Sequence, residues 1–434
     1  MVKDGHYNKA LRRVVGLGFW VQGFRCFPWM GVNFFLKDGL GVAPSSLQIL
    51  QNSSNLPMVA KPLYGILSDA LYVAGQHRLP YVAIGAILQA ISWLAIATLP
   101  GTSLSIAMLT LFLLLGNLGA SIAEVANDAI VVEAGKQLHS PSQSGQLQSF
   151  AWMSASLGGI LGNILGGIAI KELSPKTMFL IFVVLLVLQF FMTITLSESS
   201  LNLPKKMNHS SKFSSISKQI SELHVALCNS EISRSIAWFS TSYAMIPLLN
   251  GTMFFYQTQH LNLDSSIIGF SKVFGQAALL VWSVAYNKQF RKFPAKKILW
   301  ALQVAIALFM VSDVLFVKGI YRDIRIVDSM YVVIISGLQE SLFQFKILPF
   351  SVLMAQICPS GCEGSVMAFS MSAVALATII SGYLGVALAI SVGVSGADFS
   401  GLSVGILIQA ACTVLPLCWA SWIPDGSRPV KKEE

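Results

Sequence analysis

Apolar runs of about 20 residues, separated by short polar stretches, recur along the whole 434-residue chain. A run of that length crosses the hydrocarbon core of a bilayer as an α-helix. Twelve are predicted. They cover roughly 14–36, 46–70, 79–99, 104–134, 145–170 and 177–197, then 234–258, 265–287, 298–317, 327–357, 364–391 and 399–422. The fourth and tenth are longer than the core requires, so their ends are expected to project from it. One break interrupts the rhythm. Ser197 to Arg234 is polar, rich in Ser and Lys, and longer than any other connection. The chain is therefore expected to hold an N-terminal tail (1–13), six helices (14–197), a central loop (198–233), six more helices (234–423) and a C-terminal tail (424–434). Part of the loop, from about Ser215 to Cys228, has helical periodicity and is expected to lie on the membrane surface.

Composition agrees with this pattern. Hydrophobic residues make up 54% of the chain and charged residues 11%, against roughly 25% charged in soluble domains. The reading is an all-α, multi-pass integral membrane protein, with the lipid bilayer as its main environment. The net charge of +9 is no nucleic-acid signal, because the basic residues lie in the short connections. On alternate sides of the predicted spans they number 19 and 6. That bias places both tails and the central loop on the cytosolic or equivalent side. The opening "MVKDGHYNKALRR" has the features of neither a signal peptide nor a transit peptide. The membrane is left open between a plastid envelope, another endomembrane and the plasma membrane. Enzyme motifs are absent. Cys358 and Cys362 match no metal spacing, and all six histidines (6, 77, 139, 209, 224 and 260) fall in predicted loops or tails. No cofactor and no metal is expected, and the protein is expected to be a monomer.

The candidate chemistry lies where charge interrupts the apolar runs. Arg25, Lys61, Glu124, Asp128, Lys272, Glu340 and Lys346 fall inside predicted spans. A charge at the bilayer centre costs about 2.5–3.5 kcal/mol, so such residues are functional candidates by default. Glu124 and Asp128, four apart, share a helix face. Two cations at midplane depth suit an anionic small-molecule substrate, and neighbouring carboxylates suit proton exchange. The alternative is that Arg25 or Lys61 pairs with Glu124 or Asp128 merely to hold helices together. Two six-helix halves form the architecture of many secondary transporters, whose site lies near the midplane. Pro28 and Pro247 occupy corresponding helices of the halves, as do Lys61 and Lys272. In the fifth span, Gly158, Gly162 and Gly166 form a small-residue stripe for close helix packing. Trp152 lies beside polar Gln148, placed either for core packing or to stack on a flat ring.

After the second span, "GILSDALYVAGQHR" carries Gly65, Asp69, Gly75 and Arg78. This resembles the loop signature of the major facilitator superfamily, in which the element acts as a latch. "QGF" (22–24), "KPLYGILSD" (61–69), "RLPY" (78–81), "NDAIVVE" (127–133), "GQLQSFAW" (145–152) and "LPFSVLMAQICPSGCEGSVMAFSMS" (348–372) together resemble the folate–biopterin transporter family of that superfamily. The resemblance implies a secondary carrier of folate- or pterin-type compounds that works by alternating access. It implies a cavity lined by helices 1, 4, 7 and 10. On it, the expected substrate-binding residues are Arg25, Lys61, Trp152, Asn250, Glu340 and Gln344, with Tyr243 also on the cavity. Glu124 and Asp128 are the expected proton-coupling pair. Gly65, Asp69, Gly75, Arg78 and Glu133 are the expected gate. Two alternatives stay open: a carrier of the same fold for another solute, and a sensor or scaffold without transport.

Overall fold

The computed structural model describes residues 9–100, 105–137, 141–201, 221, 224–290, 293–358 and 363–424. Most of the central loop, including the greater part of the expected surface helix, lies outside these residues. Helices account for nearly all of the described chain, and the described residues form no strands. Among the described residues, eight helices are long and apolar enough to cross a membrane. They include α3 (Leu79–Thr98), α4 (Ile106–Gln137), α5 (Pro141–Glu172), α6 (Pro175–Ile194), α8 (Ser265–Lys288), α9 (Ala295–Val317) and α11 (Glu363–Ser391). The eighth, α12, begins as Leu402–Val414 and ends in a tighter turn, Leu415–Trp422.

The four remaining spans are each broken. In α1 the pieces are Lys9–Phe24 and Cys26–Phe34. In α2 they are Pro44–Ser54, a 3-10 turn Leu56–Ala60, and Lys61–Ala70. In α7 they are Ser230–Ala244 and Asn250–Phe255. In α10 a short lead-in, Asp328–Tyr331 and Val332–Ser336, precedes Gly337–Phe345 and Ile347–Ile357. Proline accounts for the breaks. It has no N–H to donate to the carbonyl four residues earlier, and its ring crowds that carbonyl. Pro28 leaves Phe24 unpaired in this way, and Pro349 does the same to Phe345. Each helix breaks at the next residue, Arg25 in α1 and Lys346 in α10. Lys61 likewise opens a helical piece, directly before Pro62. Three of the intramembrane cations therefore sit at helix breaks.

The chain divides into two compact units, Met1–Val42 with Ser53–Ser217, and Ala43–Asn52 with Lys218–Glu434. In the first, α3 packs along α4 and α6, and α1 lies along α5. The α1–α5 contact uses the glycine stripe. A Cβ on Gly158 would stand 2.2 Å from the Trp20 carbonyl oxygen, and one on Gly23 would stand 1.9 Å from that of Ala155. Only glycine permits that approach. Gly65 is different, since a Cβ there meets only Val125 Cγ1 at an ordinary 3.6 Å. Gly65 therefore makes no close backbone approach.

In the second unit, α9 packs on α12, α8 on α10, and α7 on α11. The break in α7 frees backbone groups that must find partners. Gln48, from the Ala43–Asn52 segment of this unit, supplies several. Its Nε2 donates to the Leu248 and Gly382 carbonyls at 2.6 and 2.7 Å, and its Oε1 accepts from the Gly251 N–H at 2.8 Å. Ser381 Oγ donates to the Ile246 carbonyl.

Candidate functional site

In the first unit the helix breaks bring three charges together. Glu124, 7% exposed on α4, receives Arg25 Nη1 on one carboxylate oxygen and Lys61 Nζ on the other, each at 2.6 Å. Arg25 comes from the break in α1 and Lys61 from that in α2. Both cations remain partly exposed, while the carboxylate is almost enclosed. Asp128, one turn along the same face of α4, is exposed and makes no hydrogen bond or ion pair with the described residues. Arg25 and Glu124 also border a small cavity lined with amides: Gln22, Gln89, Asn127 and Gln189. The buried Oε1 of Gln22, Oδ1 of Asn127 and Oε1 of Gln189 have no hydrogen-bond partner. Three acceptors and a cationic cluster thus face one polar recess.

The second unit repeats part of this pattern. Lys272 on α8 donates to Glu340 on α10 at 2.5 Å, with side-chain exposures of 42% and 37%. A lysine on the second span of a unit pairs with a glutamate on its fourth, as Lys61 pairs with Glu124. Asn250 and Gln344 are exposed in this unit. Tyr243 is not available to a solute. It is buried, and its hydroxyl donates to the Phe343 carbonyl at 2.8 Å. Lys346 is fully buried, donates to Ser242 Oγ at 3.0 Å, and lies 4.1 Å from the Tyr243 ring centre. Trp152 is 65% exposed on α5, and nothing joins it to the Glu124 group.

The connection between α2 and α3 forms a second charged cluster. It turns sharply through Ala74 and Gly75, both at positive φ, with Val73 and Gln76 bridged. Arg78 then reaches Asp69 and Ser68 on α2, and Glu133 on α4 at 2.6 Å. His77 joins from the same turn. Its ring nitrogens lie 3.2 Å from Glu133 and 2.9 Å from Glu198. Glu198, just after α6, also accepts the backbone N–H groups of His77, Arg78 and Leu79. Burial opposes charge on His77, but the two carboxylates overcome it and push its pKa up to about 9. Burial likewise opposes charge on Glu198, and His77 with the backbone donors holds it below the usual carboxylate range. The cluster ties α2, α4 and the end of α6 to one turn. Of the expected gate residues it contains Asp69, Arg78 and Glu133, with Gly75 making the turn. Sequence reasoning missed His77 and Glu198. Their one available signal was the histidine next to Arg78.

Residues 22–434 match the profile of the BT1 family. The chain belongs to that family. It is 57% identical to "Probable folate-biopterin transporter 7" of Arabidopsis thaliana, over 99% of this chain and 96% of that protein. The "Folate-biopterin transporter" of a Synechocystis strain is 26% identical, over 95% of this chain and 81% of that one. These BT1-family relatives are named as transporters, not enzymes. Among solved structures, a D-xylose–proton symporter aligns over 97% of this chain and 99% of its own at a TM-score of 0.71. A nucleoside transporter aligns over 96% and 100% at 0.72. At 15% and 14% identity these matches establish the fold: twelve transmembrane helices in two six-helix halves, the major facilitator architecture.

Proposed function

We propose that this BT1-family protein is a secondary carrier of folate- or pterin-type compounds, working by alternating access and coupled to protons. The relatives' names supply the substrate class. The observation that carries the site assignment is Glu124 held between Arg25 and Lys61. With both cations charged and Glu124 ionised, the trio has a formal charge of +1. It attracts one anionic group, such as a carboxylate of a folate side chain. The orphaned oxygens of Gln22, Asn127 and Gln189 are buried beside the trio, and would accept from ring N–H and amino groups of a pterin once the recess opens. Protonation of Glu124 would remove the internal competitor for both cations and open them to the substrate anion. Proton and anion would then bind together, which is symport. Asp128, exposed and without an ion pair among the described residues, one turn away, is the route by which the proton reaches Glu124. Lys272–Glu340, Asn250 and Gln344 offer the second unit's contacts. Asp69, Arg78, Glu133, Gly75 and Gly65 form the latch, extended by His77 and Glu198. The carrier acts as a monomer.

The test is uptake of labelled folate by a transport-deficient host expressing the full chain. Uptake is expected to rise as external pH falls, and Arg25→Ala and Lys61→Ala are each expected to lower it at least tenfold. Uptake unchanged by both substitutions overturns the site, and a host that gains no uptake overturns the substrate class.

A further inference from the structure

The second unit holds a carboxylate that the mechanism above leaves unused. Asp313 lies within α9, 6% exposed, in an otherwise apolar stretch. Its partners are neutral. Tyr331 donates its hydroxyl to Oδ1 at 3.0 Å, and the neutral side chain of Gln339 lies beside it. The chain of hydroxyls continues. Ser312 Oγ lies 2.9 Å from the Tyr331 hydroxyl and 3.0 Å from that of Tyr321. Tyr321 belongs to the connection between α9 and α10, half-buried beside exposed Arg322, Asp323 and Ile324. The rings are held in place, with Tyr331 stacked between Phe316 at 4.2 Å and Tyr321 at 5.1 Å. At the inner end, Gln339 is the sequence neighbour of Glu340, whose carboxylate is paired with Lys272 on an exposed face.

We propose that Asp313 is a proton-binding site, fed from the α9–α10 connection through Tyr321, Ser312 and Tyr331. The step conserves protons. Ionised Asp313 takes the hydroxyl proton of Tyr331, which takes one from Ser312, which takes one from Tyr321, which takes one from a hydronium ion in the adjoining solution and leaves water. Every hydroxyl is re-formed, and one proton has moved from hydronium in solution to the carboxylate. Relays of this kind need donors and acceptors within hydrogen-bond reach, as each of these is. The other charges nearby are already engaged or distant. Arg322 pairs with Asp328 at 3.0 Å, Glu340 with Lys272, and Lys346 with Ser242; Lys318, Asp323 and Arg325 are exposed beyond the end of α9. Against α9, α12 presents no charged side chain over Leu402–Val414. Among the described residues no cation therefore offsets the cost of a bare carboxylate here, and proton uptake lowers it. The proposal deepens the proton-coupled reading, although proton binding at Asp313 does not require that any solute be carried.

The test uses the full-length protein in liposomes, free of substrate, followed by infrared difference spectroscopy after pH jumps. A carbonyl band of a protonated carboxyl is expected to appear on acidification in the wild type, to be missing in Asp313→Asn, and to shift in Tyr331→Phe. Ser312→Ala is expected to keep the band but slow its appearance roughly tenfold or more. An identical band in Asp313→Asn overturns the site, and an unchanged rate in Ser312→Ala overturns the route. Tyr331→Phe keeps the test decisive where Asp313→Asn fails to fold. Because no solute is present, loss of folate uptake bears on the carrier reading and not on this one.

Discussion

Glu124 and Lys346 show two opposite ways of burying a charge. Glu124 has a cation on each oxygen. Glu124→Gln leaves Arg25 and Lys61 close together with no anion between them. Removing one partner of a buried ionic group typically costs about 3–5 kcal/mol. The substitution is expected to lower the melting temperature of the purified protein clearly, and a melting temperature equal to wild type would show that the trio is not coupled. Lys346 has no carboxylate partner, only Ser242 and the face of Tyr243. Lys346→Met keeps most of the volume and removes the cost of desolvating an ammonium. It is expected to be neutral, or stabilising by about 1 kcal/mol; a large loss of stability would mean that the charge is essential to the fold. The sequence exposes all of these residues, because a charge inside an apolar run stands out. It does not expose the pairing. Arg25, Lys61 and Glu124 meet only because α1, α2 and α4 pack in one particular way. Asp313 escaped notice for a related reason. It lies four residues before the end of a predicted span, where a carboxylate reads as part of the helix end. The structure ends α9 at the same residue, Val317, but buries Asp313.

At the level of elements, the proline breaks were legible and their consequences were not. Pro28, Pro247 and Pro349 mark where helices lose a hydrogen bond. Nothing in the pattern says that Gln48 returns from a distant helix to cap the break in α7. Gln48→Ala would leave the Leu248 and Gly382 carbonyls and the Gly251 N–H without that partner. Each buried unsatisfied group costs about 1–3 kcal/mol. The variant is expected to lose several degrees of melting temperature, and a wild-type value would show that water replaces the side chain. The turn between α2 and α3 carries a pH dependence with a defined sign. His77 has a folded pKa of about 9, against roughly 6.5 unfolded. Its contribution to stability is complete below about pH 6.5 and is lost as pH rises through about 9. Glu198, held low, contributes above the ordinary carboxylate range and loses this as pH falls through its lowered pKa. Protease cleavage at the α2–α3 connection is therefore expected to increase between about pH 7 and 9 in the wild type. His77→Gln should flatten that limb, and an unaltered profile would place the titrating group elsewhere.

For the whole molecule, charge distribution predicts the orientation in the bilayer. Lys288, Lys296 and Lys297 flank the α8–α9 connection, while Lys318, Arg322 and Arg325 follow α9. Judged by these two clusters alone, orientation is ambiguous. Over all connections the count is 19 against 6, and the larger number belongs on the cytosolic side. The latch, the segment after α6 and the α8–α9 connection should then all face the cytosol. The α9–α10 connection, where Tyr321 begins the hydroxyl chain to Asp313, should face away from it. Single cysteines at Ser199 and at Asp323, both exposed, separate the two sides in a background without Cys26, Cys228, Cys358, Cys362, Cys412 and Cys418. A membrane-impermeant thiol reagent added to intact cells or organelles should label the cysteine at 323 alone; the cysteine at 199 should react only after the membrane is opened. Labelling in the reverse order would invert the topology. It would place the entry to the Tyr321 chain on the cytosolic side, so a proton gradient would load Asp313 from the opposite compartment.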